Sequence, residues 1–218
     1  MRGLWLTILL ALPCAGVADD DKDIDKVNGS IEVAADQTAG DVSTVNGSIR
    51  ILAGATVEEA ETVNGSIGLG ERGVAESLET VNGTIKLEAD ARVSEDVETV
   101  NGSVTLGRNT DVQGGIRTVN GDIRLNSAHV GGGIRTQKGD IEVGEGSRVE
   151  GGIRIEKTKG FNISFFEGTP KVVIGPKAVV QGELKFERAV KLYVSDTATV
   201  GTITGAEAVR FSGPQPPD

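Results

Sequence analysis

Cysteine is almost missing from this 218-residue chain. The single Cys14 excludes a disulfide framework and any multi-cysteine metal site. Histidine is equally scarce. One His, at position 129, excludes His-cluster metal chemistry and leaves little room for a catalytic triad. Aromatics make up 3% of the chain, and the stretch from Asp19 to Gly160 contains none. Sugar binding by stacking on exposed rings is therefore excluded along that stretch. A basic excess is also lacking: 22 Lys+Arg stand against 32 Asp+Glu, a net charge of -10, which argues against a nucleic-acid binder. Beyond the N-terminus no window of eleven or more residues carries apolar residues at helical spacing. The 31 glycines oppose helix further. At 25% charged and 38% hydrophobic, the composition is nevertheless not that of a disordered chain.

The N-terminus has the layout of a secretory leader. Met1-Arg2 gives a positive start, Leu4 to Leu12 an apolar run, and Ala15-Gly16-Val17-Ala18 a small-residue stretch before Asp19. Gly16 and Ala18 occupy the positions a signal peptidase reads, so residues 1–18 are expected to be removed. The run falls short of the ~20 residues of a membrane span, and no transmembrane segment is expected after cleavage. Cys14 offers a lipid-attachment alternative, but Pro13 stands where such sites carry Gly or Ala. The chain is expected to reach the periplasm, the outer envelope surface or the medium. Residues 19–26 form an acidic lead-in with no EF-hand spacing, read as a solvated tail guarding the first coil.

What the chain does contain is a repeat. Val-Asn-Gly recurs at Val27, Val45, Val63, Val81, Val100 and Val119, and a degenerate copy, Gln137-Lys138-Gly139, follows. Self-similarity at a fixed short period signals a repeat architecture. After each Asn-Gly, aliphatic and polar residues alternate, as in Ile123-Arg124-Leu125, which reads as a strand with one buried face. A second alternating set, clearest at Val112-x-Gly114-x-Ile116, has the opposite parity. The chain must bend between the two sets. The bends are placed at the Thr-Val step (Thr118-Val119 and its equivalents) and between Leu125 and Val130.

The expected fold is all-β. It is a single parallel β-solenoid of 18–19 residues per coil, right-handed, with regular repeats over 27–159, irregular wider terminal coils and a cap over 160–211, and a Pro-rich tail at 212–218. Like residues of successive coils would stack ~4.8 Å apart, each inward aliphatic contributing roughly 1.5–3 kcal/mol. A row of β-hairpins is the competing reading, since Asn-Gly between alternating apolars favours hairpins, but their arms would be too short.

Stacking turns columns into ladders. Asn28, Asn46, Asn64, Asn82, Asn101 and Asn120 form a structural amide ladder. Another column changes sign, with Glu61, Glu79 and Glu98 giving way to Arg117, Arg135 and Arg154. The arginines are the candidate contact for a phosphate or uronate polymer, and a solvated ladder neutralised by neighbours is the alternative. Phe161, Phe165, Phe166, Phe186 and Tyr193 cluster after the repeats as a cap or association surface. His129 shows no partner in sequence. No catalytic residue, metal site or cofactor is expected, and the chain is not expected to be an enzyme.

The tandem Val-Asn-Gly-Ser-Ile pattern behind a leader resembles a family of exported bacterial proteins known as adhesins with β-strand repeats. The resemblance covers about residues 24–155. Val180-x-Gly182-x-Leu184 and Val200-Gly201-Thr202-Ile203 resemble bactofilins, which polymerise by end-to-end stacking of β-helices. The leader departs from the cytoplasmic bactofilin pattern, so a cytoskeletal role is not carried over. These resemblances imply an exported, non-enzymatic structural or adhesin-like module of the cell envelope. Its partners would be an envelope polysaccharide, another protein or a second copy of itself. A scaffold that associates through its ends is the alternative, and an ice-binding plate of Thr, Asn and Ser ladders is the third reading.

Overall fold

The computed structural model describes residues 23–157 and 168–217. The leader with Cys14, residues 19–22 of the acidic lead-in, and Phe161, Phe165 and Phe166 lie outside them. The described residues contain no helix, and every strand pair in them is parallel, so the hairpin reading fails. The chain winds as a three-sided β-solenoid.

The coils build three sheets, of ten, ten and seven strands, the first two coils joining the third face only through isolated bridges at Thr38 and Thr56. One coil shows the plan. Val97–Asn101 lies on the first face, Val104–Leu106 on the second and Asp111–Val112 on the third, after which Ile116–Asn120 begins the next coil. Ten stacked strands span about 43 Å at ~4.8 Å per step. The alternating pattern is the cause. On the second-sheet strands such as Val104–Leu106 the alternate aliphatic residues turn inward and the residues between them outward, and the inward residues of successive coils merge into one core.

The first corner lies elsewhere than the parity of the sequence suggests. The strand runs straight through the Thr-Val step and turns at Asn-Gly-Ser. The residue facing the core is the Thr, not the repeat's Val: Thr44, Thr62, Thr80, Thr99 and Thr118 are buried, whereas Val27 is 67% exposed and the following valines are half-exposed. A hydroxyl is tolerated there because it has an acceptor. Thr62 and Thr80 each donate at 2.9 Å to the carbonyl of the corner glycine one coil back, Gly47 and Gly65. That bond gives the buried hydroxyl an acceptor and the corner carbonyl a donor.

The corner glycine is required by proximity. A Cβ on Gly83 would sit 1.7 Å from the Gly65 carbonyl oxygen, and one on Gly102 1.8 Å from that of Gly83. The second corner lies between Leu125 and Val130, as expected from the sequence, with Ser127 at φ 48 and its equivalents Asp36, Arg72, Asp90 and Asn109 also left-handed. The third corner, at Gly114-Gly115 and its equivalents, was not apparent from parity. Val112 and Ile116 look like one alternating strand but lie on different faces.

Residues 168–211 continue the same three sheets, beginning with Lys171–Ile174 stacked on Ile141–Val143. The second sheet ends at Ala208–Phe211, where Val209 is 51% exposed. Among the described residues no helix is long and apolar enough to cross a membrane.

Candidate functional site

The outer surface of the first sheet concentrates the charge. Strand register places Glu61 beside Glu79, Glu79 beside Glu98, Glu98 beside Arg117, Arg117 beside Arg135 and Arg135 beside Arg154, with Lys185 after it. The three arginines expected to line up do so. Arg117 is tied to Glu98 by an ion pair across the sign boundary. No carboxylate lies within ion-pair reach of Arg135 or Arg154 among the described residues.

Beside the arginines runs a feature that the sequence reading missed. Gly114-Gly115 and Gly132-Gly133 floor a groove of about 290 Å³ walled by Arg117 and Arg135, with Asp96 and Glu98 at its acidic end. On the acidic half the same columns carry side chains, Glu76 and Glu95 at the corner and Glu59, Ser77 and Asp96 next to it. The glycine floor therefore belongs to the basic half.

The acidic half is under electrostatic stress. Burial, with repulsion from Glu98 and then from Glu59, Glu61 and Asp96, pushes the Glu79 carboxyl up to about 7. Burial and Glu59 raise Glu61, and burial also raises Glu98 even though Arg117 pulls it down. Burial of these carboxyls is the main cost, and crowding by other acidic side chains on the same face adds to it.

The Asn ladder forms at the first corner. Asn46 donates to Asn28 at 3.1 Å, Asn64 to Asn46 at 3.0 Å, Asn82 to Asn64 at 3.1 Å and Asn101 to Asn82 at 3.0 Å. Asn120 is in register with Asn101, but no amide bond joins them, and Lys138 takes the next rung.

His129 is not the isolated loop residue its sequence context suggests. It lies on the third sheet between Asp111 and Arg148. Its Nδ1 lies 2.6 Å from Asp111 Oδ1, where a ring N–H donates to the carboxylate, and its Nε2 lies 3.5 Å from Glu150. A hydrogen bond from Arg148, with His129 nearby, holds the Glu150 carboxyl below its ordinary value. The 18- and 19-residue steps from 111 to 129 to 148 were the available signal. Asp111, His129, Arg148 and Glu150 form a ladder of ion pairs on the outer face of the third sheet. Among the described residues no group of three His, Cys, Asp or Glu is placed to hold a metal ion.

Phe186 is only 5% exposed and packs into the core of the terminal coils. Tyr193 is half-buried on the second sheet, with the Lys171 ammonium 5.1 Å above its ring.

The arrangement defines a β-solenoid with one charge-segregated face. The chain matches no protein-family model, no curated protein and no solved structure.

Proposed function

We propose that this protein is an exported, non-enzymatic structural module of the cell envelope whose rod displays charged ladders, and that the Arg117, Arg135 and Arg154 strip binds an anionic polymer. The observation that carries the reading is three guanidinium groups in register, two of them with no carboxylate within ion-pair reach among the described residues, beside a glycine-floored groove. Guanidinium forks suit carboxylate and phosphate oxygens, and a repeat of ~4.8 Å suits a repeating polyanion better than a single small anion. The secretory leader and the resemblance to exported adhesins support the envelope setting.

Binding to polygalacturonate and to polyphosphate tests it. The chain is expected to bind at least one of them at low salt, and to release it as salt rises. The combined Arg117→Ala, Arg135→Ala, Arg154→Ala variant should lose binding while keeping its β spectrum. Equal binding by that variant, or no binding by the natural chain at concentrations where it is monomeric, overturns the reading.

End-to-end association is favoured by a different observation. The outer edge of Ala208–Phe211 has no further strand paired to it among the described residues, and Val209 is 51% exposed there. Val209→Asp would block assembly by that route.

A further inference from the structure

The charged column is self-complementary. Its sign changes between Glu98 and Arg117, with Glu79 and Glu61 on one side and Arg135 and Arg154 on the other at matching steps. A two-fold axis lying in the plane of the face, along the strands and between those two coils, reverses the stack and superposes the column on itself. Glu98 then meets Arg117 of a second copy, Glu79 meets its Arg135 and Glu61 its Arg154. Every pair occurs twice, as an isologous interface requires.

Shape follows the same symmetry. In the column beside the charges, Asp96 falls opposite Gly115, Ser77 opposite Gly133 and Glu59 opposite Gly152 of the second copy. The side chains of the acidic half enter the groove of the basic half, whose floor has no Cβ atoms. In the column on the other side, half-exposed Val100 meets Val119, an apolar contact at the centre.

We propose that two copies of this chain pair face to face through the first sheet, antiparallel along the rod, with the acidic half of each lying on the basic half of the other. A polyanion accounts for the arginines alone and leaves the stacked glutamates unexplained. A second copy answers both. It also places a counter-charge beside Glu79, whose carboxyl is pushed up by burial and acidic neighbours in the single chain. The pairing does not rest on the polymer reading. Because both use the same arginines, polymer and second copy would compete.

Sedimentation velocity with charge reversals tests the proposal. The natural chain should sediment as a dimer at low salt and shift to monomer at high salt. Glu79→Arg and Arg135→Glu, each alone, place like charges opposite one another twice and should be monomeric. Mixing the two in equal amounts restores opposite charges at both sites and should regenerate the dimer, as should the double variant. Glu61→Arg and Arg154→Glu provide an independent pair, so a folding defect in one variant does not decide the outcome. A monomeric natural chain at low salt, a dimer indifferent to Glu79→Arg, or a mixture that stays monomeric overturns the pairing. So does a dimer lost on Val209→Asp but not on charge reversal, which would assign association to the rod ends. Glu79→Arg should leave polygalacturonate binding intact, so failure of the pairing and failure of the polymer reading are separable.

Discussion

The Thr80 hydroxyl donates to the Gly65 carbonyl at 2.9 Å, linking the core-facing side of one coil to the corner of the coil before it. Thr80→Val keeps the shape but leaves that carbonyl without its hydroxyl donor. The expected cost is about 1–3 kcal/mol in urea unfolding, whereas Thr80→Ser should recover most of it. Equal stability of the Val variant would show that the bond contributes nothing.

Two glycines of the same corner column should respond very differently to alanine. A Cβ on Gly83 meets the Gly65 carbonyl oxygen at 1.7 Å, while one on Gly29 meets nothing within 4 Å. Gly29 has φ +110, so Gly29→Ala pays only backbone strain, about 1 kcal/mol or somewhat more. Gly83→Ala must push two coils apart and should cost more than about 4 kcal/mol or prevent folding. Thermal unfolding of the two variants compares them directly.

Much of this architecture is legible in the sequence. The period of Val-Asn-Gly implied coils, and the spacing of Glu61 through Arg154 placed the sign-changing column correctly. The first corner was misplaced because hydrophobicity assigns Val119, not Thr118, to the core. The factor that reverses this is a carbonyl 16 residues earlier, at Gly102, which accepts from Thr118 at 3.3 Å. Nothing local to Thr118 reveals that acceptor. The groove was missed for a related reason. Gly114 and Gly115 read as strand alternation until a third corner separates Val112 from Ile116, and only then do they become a floor beside the arginines.

The stability of the single chain should depend on pH through Glu79. Its carboxyl, raised from 4.5 to about 7, holds a proton more tightly in the folded chain than in the unfolded one. That contribution is complete below about pH 4.5 and is lost as pH rises through about 7. The half-exposed site is partly screened by solvent, so the loss is about 1 kcal/mol. Glu79→Gln, studied where the chain is monomeric, should therefore be the more stable form at pH ~8 and equal to the natural chain at pH ~4. A difference independent of pH would contradict the assignment.

The amide ladder should be most sensitive in its interior. Asn64 donates to Asn46 and accepts from Asn82. Asn64→Asp removes the donor and brings a charge, for an expected loss of about 1 kcal/mol. Asn120→Asp breaks no amide link and should cost less, as chemical denaturation of the two variants would show.

The account rests on consecutive coils lying in register, and paired spin labels measure this directly. Glu32, Arg50, Gly68, Lys86, Thr105, Arg124 and Glu142 occupy one outward column of the second sheet. With one label at Glu32 and the second moved from Thr105 to Arg124 to Glu142, the separation should grow from about 19 to about 24 to about 29 Å, one strand spacing per coil. Separations that do not increase by that step, or that do not change along the series, would contradict the stacked rod and the charged face built on it.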